Sequence, residues 1–358
     1  MIGIIMAGGK GTRLFPLTEN KPKPLVSLLG KPVIEYVKDA LVNIGIDGII
    51  LTTGYRGEGL QKIVDFWNQN SDVEFSVNQE STPMGTAGSV KLLEEKLTQT
   101  FIVASGDSVL SSDLEALVKA HKSSNAKVTM ALWEVEDPTQ YGIVGLSNMP
   151  NGNIDGTLDE GYITKFLEKP TLDEAFSKVI NAGLYIIEPE VLSYVPKDTK
   201  FDFSKELFPH LLELGMPMYG VKLNGVWFDV GTPKELIRAQ NHLVQNFETL
   251  PFGLPEGEYL DDSSYLIGNS ISHSKLCRTV VSKNSIIGRE SKLIDTLVMD
   301  GSKIGNNCSL IGTIIGEKVI IGDNCELSDC VIGDEVHIVA DTKIHAEQVS
   351  RNTPNRTQ

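Results

Sequence analysis

Up to residue 248, apolar positions fall by turns into short unbroken runs and into helical spacing. Residues 2–6 form an apolar run that ends at Ala7-Gly8-Gly9. Val33, Ile34, Val37, Ala40, Leu41 and Ile44 recur at the period of one helix face. Residues 48–53 predict a second strand, and Leu60, Ile63, Val64 and Trp67 a second helix. Residues 73–77 alternate as a strand does, 86–97 read as helix, and 101–104 form a buried strand that ends at Gly106-Asp107. Strands that alternate with helices predict an α/β fold with a mostly parallel sheet, covered on both faces. Ligands of such sheets bind beyond the carboxyl ends of the strands, where residues 8–13 and Asp107 fall. From residue 126 the pattern turns strand-rich, and it closes with a helical stretch over 233–247.

A different period follows. Residues 249–262 are rich in Pro, Gly and acid and read as a linker. Beyond them, Val281, Val298, Ile315 and Ile332 are spaced by 17 residues. So are Ile287, Ile304, Ile321 and Ile338, and Leu276, Leu293, Leu310, Leu327 and Ile344. The steps within each 17 are 6, 6 and 5, with Gly after the apolar residue at 288, 305, 316, 322 and 333. Small or β-branched residues stand four further on, among them Ser285, Ser291, Ser302, Cys308, Val319 and Cys325. This predicts a three-sided, left-handed parallel β-helix of hexapeptides. Each apolar residue points inward, the glycines are expected to take the corner geometry, and Cys308 and Cys325 stack as small interior residues. The expected layout is an α/β domain over 1–248, a linker over 249–262, the β-helix over 263–346 and a polar tail over 347–358, either disordered or a short cap.

Composition narrows the class. The chain has 358 residues, 41% apolar and 22% charged, as a soluble globular protein has. No apolar run approaches the ~18 residues of a membrane helix, and residues 1–7 show neither the basic region nor the cleavage site of a signal peptide. Four cysteines are too few for a disulfide framework at this length, so a cytoplasmic location is expected. The net charge of −15 disfavours nucleic acid or an anionic membrane as partner. Locally the sign reverses: Lys10, Arg13, Lys21 and Lys23 face a single acid, Glu19, over residues 10–23. That stretch is either a solvated basic loop or an anion site.

The same stretch opens with Ala7-Gly8-Gly9-Lys10-Gly11-Thr12-Arg13-Leu14-Phe15-Pro16-Leu17, a strand running straight into a glycine-rich loop. Such loops bring backbone N–H groups around phosphate oxygens. It is neither the G-x-G-x-x-G of dinucleotide folds nor a P-loop, because Lys10 is followed by Gly11. With Lys21-Pro22-Lys23-Pro24-Leu25 it resembles the signature of the sugar nucleotidyltransferases. Six further motifs follow in the order that family shows: Pro83-Met84-Gly85-Thr86-Ala87-Gly88, Ser105-Gly106-Asp107, Tyr141-Gly142-Ile143-Val144, Phe166-Leu167-Glu168-Lys169-Pro170, Asn181-Ala182-Gly183-Leu184-Tyr185 and Trp227-Phe228-Asp229-Val230-Gly231-Thr232-Pro233.

The resemblance implies a Rossmann-like nucleotidyltransferase domain. A hexose 1-phosphate oxygen would attack the α-phosphorus of a nucleoside triphosphate in line, and pyrophosphate would leave. Bringing two anions together is work for positioning and cations, with no covalent nucleophile. By resemblance, Gly8, Gly9, Gly11, Thr12, Gly85 and Thr86 belong to the nucleotide site, and Arg13 and Lys23 to the triphosphate. Asp107 and Asp229 are the implied Mg2+ ligands, Lys169 meets the sugar phosphate, and Glu168, Gly142 and Asn181 meet the sugar. Taken singly, Asp107 reads equally as a helix N-cap before Asp113-Leu114-Glu115, and Asp229 and Asn181 as turn residues.

One position bears on the base. Relatives that use uridine or thymidine nucleotides carry Gln five residues before the second glycine motif, where this chain has Glu80 before Gly85. A carboxylate accepts from two adjacent donors, which guanine offers and pyrimidines do not. The resemblance therefore favours GTP and mannose 1-phosphate, as in the GDP-mannose pyrophosphorylases. If Gln79 is instead the base reader, UTP or dTTP with glucose 1-phosphate follows. Two other readings stand beside these: an acetyltransferase activity of the β-helix using His273, His337 or His345, and a non-catalytic regulatory subunit. A homo-oligomer assembled through the β-helix is the expected quaternary state.

Overall fold

The alternating segments of the first half assemble into one nine-stranded sheet. The computed structural model describes residues 1–54, 57–111, 114–249, 253–261 and 263–353, so Asp113, positions 250–252 and 262 of the expected linker, and 354–358 of the expected tail lie outside the described residues. The chain divides into two units: Met1–Gly9 with Tyr36–Trp227, and Lys10–Glu35 with Phe228–Gln358.

The strands of this sheet are β1 (Ile2–Met6), β2 (Gly48–Thr53), β3 (Glu74–Gln79), β4 (Phe101–Ser105), β5 (Val128–Glu134), β6 (Gly142–Ser147), β7 (Glu160–Glu168), β8 (Val179–Ile187) and β9 (Met218–Lys222), all in the first unit. Their order is β3-β2-β1-β4-β8-β5-β9-β7-β6. The first four are parallel, as the strand–helix alternation requires, with α1 (Val33–Asn43), α2 (Gly57–Asn70) and α3 (Gly85–Lys91) in the crossovers. The later half is mixed: β5 and β9 run parallel, while β8 is antiparallel to both β4 and β5 and β7 to both β9 and β6. Parallel pairing is thus continuous only over β3-β2-β1-β4, with β5 and β9 the one parallel pair in the later half. The strand-rich stretch after residue 126 connects without a helix at each step, which only antiparallel neighbours allow.

Phe101, Val103, Met130, Leu132, Ile187, Phe203 and Phe208 lie in one buried cluster. Tyr185 packs on Phe203 and Phe208 with ring centroids 5.4 and 4.9 Å apart. Full burial of each such ring contributes roughly 1.5–3 kcal/mol. Among the described residues no helix is long and apolar enough to cross a membrane.

In the second unit the 17-residue repeat closes into a prism of three sheets, two of five strands and one of seven. Successive coils pair in parallel and in register, Val281 on Val298 on Ile315 on Ile332. Leu293, Ile304, Ile321 and Ile338 fill the interior. The interior serines stitch the coils: the Ser302 hydroxyl donates to the Gly316 carbonyl (2.7 Å) and accepts from the Val319 N–H (3.0 Å). Cys308 and Cys325 are buried free thiols one coil apart in a second interior column, where the Cys308 N–H donates to the Ser291 hydroxyl (2.9 Å), and burial raises their pKa.

The corners differ from expectation. Gly288, Gly305, Gly316, Gly322 and Gly333 do not take positive φ. Left-handed geometry falls instead at Arg278, Asn284, Glu290, Asp295, Gly301, Asn307, Gly312 and on through Ala346, repeating the 6, 6, 5 rhythm. The hexapeptide glycines serve close approach: a Cβ at Gly288 would stand 2.5 Å from the Gly305 oxygen, and one at Gly322 2.5 Å from the Ala340 nitrogen.

Residues 10–35 and α4 (Pro233–Gln245) belong to this unit and not with the sheet. Thr232 caps α4 by accepting from the Glu235 N–H at 3.2 Å, with Pro233 in the first turn, a Ser/Thr-x-x-Glu start. Gln240 donates to the Thr296 carbonyl and Asn241 to Asp295. These contacts group residues from 228 onward with the prism, where the hydrophobic period alone places the edge at 248.

Candidate active site

Both units carry predicted site residues. In the second, Gly11 turns the chain at φ 64°, and a Cβ there would meet Lys23 at 2.8 Å and Thr18 at 2.9 Å. The Thr18 hydroxyl donates to the Gly11 carbonyl (2.9 Å), so the loop closes on itself. Thr12 and Arg13 follow in a single 3-10 turn, Thr12–Leu14, with both side chains exposed. Lys23 is buried, and its ammonium donates to Asp229 Oδ1 at 3.3 Å. Gly231 completes the group: its Cβ position lies 3.0 Å from Arg13 Nη2 and 3.2 Å from Asp229 Oδ1. Arg13, Lys23 and Asp229 therefore converge, two cations and one partly exposed carboxylate, from stretches far apart in sequence.

In the first unit, Gly8 and Gly9 are exposed just past β1. A Cβ at Gly9 would meet nothing within 4 Å. Asp107 lies two residues past β4, half-buried in a turn, and its Oδ1 accepts from the Ser105 hydroxyl at 2.5 Å. Gly106 before it is held by the Met6 carbonyl, on which a Cβ would close to 2.9 Å.

Of the two candidate base readers, Glu80 is buried and Gln79 exposed. Glu80 Oε2 accepts from the Met84 N–H at 3.1 Å and lies 3.7 Å from the Cβ position of Gly54. Gly85, at φ 75°, lets the loop press on the Phe201 backbone, where a Cβ would stand 2.5 Å from its oxygen. Thr86 is committed internally: its hydroxyl donates to Asp202 Oδ2 and accepts from the Phe203 N–H, both at 2.9 Å.

Glu168 and Gly142 face each other across β7 and β6. A Cβ at 142 would meet Glu168 Oε2 at 2.7 Å and the Phe166 ring at 2.6 Å, so only glycine leaves that carboxylate in place. Burial raises the Glu168 pKa; Lys169 and Lys205 oppose the rise and Asp202 adds to it. Lys169 is exposed, with its backbone in the left-handed region at φ 50°. Asn181 Oδ1 accepts from the Gly183 N–H (2.9 Å), and Nδ2 donates to Tyr185 (2.8 Å) and Ser204 (3.1 Å). Both amide hydrogens are used inside, where they shape the irregularity of β8 between Asn181 and Tyr185. Asp202, Ser204 and Tyr185 were not candidates from sequence. Asp202 caps the turn at 203–207, which Asp-x-Ser signals locally, but its bond to Thr86 spans 116 residues. Among the described residues no three His, Cys, Asp or Glu side chains form a metal cage.

The nucleotidyl transferase family profile matches residues 2–246, and that of the GMPPB C-terminal domain matches residues 267–356. A mannose-1-phosphate guanyltransferase beta-A of Xenopus laevis is 33% identical over 250 residues, 69% of this chain and 65% of the relative. A mannose-1-phosphate guanyltransferase of Saccharomyces cerevisiae is 35% identical over 241 residues, 66% and 63% of the two chains. A UTP–glucose-1-phosphate uridylyltransferase of Synechocystis is 34% identical over 245 residues, 64% and 60%. The matched region thus spans just under two thirds of these curated relatives. Together with the glycine loop and the convergence of Arg13, Lys23 and Asp229, these matches establish that the chain belongs to the nucleotidyl transferase family.

Proposed function

We propose that this protein transfers a nucleotidyl group from a nucleoside triphosphate to a hexose 1-phosphate, and that the pair is GTP and mannose 1-phosphate, giving GDP-mannose. The observation that carries the reading is the meeting of Arg13 and Lys23 with Asp229 at Gly231. Two cations on a glycine loop neutralise a triphosphate, and the Arg13 fork holds two oxygens of the departing pyrophosphate. Lys169 takes the sugar phosphate, and Glu168, kept clear by Gly142, accepts from sugar hydroxyls. Glu80 takes the two donors of guanine; its burial beside the α3 loop supports it over exposed Gln79. For Gly85, Thr86 and Asn181 the internal bonds point to shaping the pocket walls rather than to direct contact.

Asp107 and Asp229 are each a partly exposed hard-oxygen donor of the kind Mg2+ takes, and the cation would supply neutralisation of phosphate oxygen charge. Four free cysteines suit a reducing cytoplasm. For self-association through the β-helix, one outer face carries exposed Ile271, Ile286 and Ile320. Light scattering on Ile286→Lys tests it; an unchanged mass would remove that face.

The deciding experiment is pyrophosphate release with Mg2+, crossing GTP, UTP, dTTP, ATP and CTP with mannose and glucose 1-phosphates. Release confined to GTP with mannose 1-phosphate is expected. Release with UTP or dTTP and glucose 1-phosphate would keep the reaction and discard Glu80 as base reader. No release with any pair would leave a regulatory subunit.

A further inference from the structure

Lys21 takes no part in the chemistry above, yet its side chain is only 14% exposed and bridges two carboxylates. Its ammonium lies 2.5 Å from Glu317 and 2.9 Å from Asp334. Burial alone would lower its pKa, but the two carboxylates outweigh that and hold it above the ordinary lysine value. Glu317 and Asp334 are one coil apart, and Asp300 stands one coil earlier in the same column. Carboxylates stacked at strand spacing, about 4.8 Å, repel one another. Lys283 reaches Asp300 at 3.4 Å, so Lys21 is the counter-charge of the other two.

Two further contacts bind the same stretch to the prism. A Cβ on Gly333 would stand 3.0 Å from Pro16, and Asn352 donates to Glu19 at 3.2 Å. Pro22 and Pro24 flank Lys23 and remove backbone freedom from the link between the two lysines. Gly11 packs on Lys23 from the other side. Lys21 thus fastens to the β-helix a closed loop that presents Arg13 and Lys23.

We infer that Lys21, through Glu317 and Asp334, is a positioning residue by which the β-helix orders the triphosphate-binding loop; this rests on the reaction proposed above. Two readouts test it on the full chain. The first needs no substrate: hydrogen exchange at Leu14, Leu17 and Glu19, whose N–H groups bond to Gly11, Leu14 and Pro16 within the loop. The second is KM for GTP against KM for mannose 1-phosphate. Lys21→Met is expected to speed exchange at the three amides and to raise the GTP KM, each about tenfold, with the sugar KM within about twofold. Lys21→Arg is expected to restore both. Gly333→Ala presses on Pro16 without altering charge and is expected to act in the same direction, which keeps the test open if Lys21→Met folds poorly. A lower melting temperature with unchanged exchange and unchanged KM values would reduce Lys21 to a stabilising contact and overturn the inference. Equal rises in both KM values would overturn it too. If the native chain turns over no substrate pair, the functional reading has failed, and the exchange result still decides whether Lys21 orders the loop.

Discussion

Lys23 and Asp229 are 206 residues apart in the chain, yet the lysine ammonium stands 3.3 Å from the aspartate Oδ1. The pair fixes each partner's position, and on the reaction proposed above that charge is set in place ahead of the phosphates. Preorganised charge of this kind is where nucleotidyl transfer gains most of its rate. Replacing Lys23 by Met is expected to lower kcat/KM for GTP by 10²–10³-fold, roughly 2.7–4 kcal/mol, as read by pyrophosphate release. Chelation of divalent metal is expected to abolish release and added Mg2+ to restore it, with Asp229→Asn needing more Mg2+ for half-maximal rate. An Asp229→Asn enzyme with an unaltered Mg2+ requirement would remove that residue as a ligand.

Glu80→Gln is a mild change for the fold, because the Gln oxygen can still accept from the Met84 N–H that Glu80 now holds. For a purine it is not mild, since one acceptor becomes a donor. The ratio of kcat/KM for GTP to that for UTP is expected to fall about 10- to 100-fold. Competition between the two nucleotides in one reaction gives that ratio directly, and an unchanged ratio would take the base away from Glu80.

Glu168 gives an acid limb. Burial raises its pKa, so as pH falls it gains a proton at a higher pH than an exposed glutamate does and stops accepting two hydroxyl bonds. The KM for the sugar phosphate is expected to rise as pH drops toward and through the raised value, which lies above 4.5. Glu168→Gln is expected to have a higher KM with that limb missing. Gly142→Ala drives a methyl group into the same carboxylate, and it too is expected to raise the sugar KM while leaving that for GTP alone.

The prism answers to different measurements. Ile315 is fully buried in the middle of the stack. Ile315→Ala is expected to cost about 2–5 kcal/mol, seen in denaturant melts. Of the four thiols, Cys308, Cys325 and Cys330 are buried with raised pKa, and Cys277 alone is half-exposed. One fast-reacting thiol is therefore expected in the native protein and four after unfolding. Two fast thiols would contradict the packing of the interior column.

Local patterns carried much of this. A helix face, a buried strand and the 17-residue repeat are properties of neighbouring residues, so β1, α1 and the coils over 263–346 could be read from the chain, whereas Gly257–Asp261 and Gln348–Val349, expected as linker and tail, add the outermost strands of the seven-stranded sheet. The glycine-rich loop was legible for the same reason, as a signature carried by neighbouring residues. Contacts across long stretches of chain were not. The direction of β8 follows from which strands it reaches, and its nine residues look alike either way. The corner residues of the prism were misplaced because Asn and Asp tolerate left-handed geometry, which left the glycines to a different use. Thr86 and Asn181 looked like ligand contacts, and only the fold shows that Asp202, Ser204 and Tyr185 occupy them. Lys21 looked like part of a basic patch until its partners, 296 residues and more away, came into view.

The left-handed corners bear on what insertions this chain can tolerate. Because they recur with a strict beat, coils could be gained or lost only as whole 17-residue units without disturbing the stack. Glu317 and Asp334, however, belong to particular coils. Removing one coil ahead of them would move both carboxylates by one rung, about 4.8 Å, and carry them off Lys21. The prism is therefore a ruler as well as a stack, and its length up to residue 334 is fixed by where the glycine loop must be held.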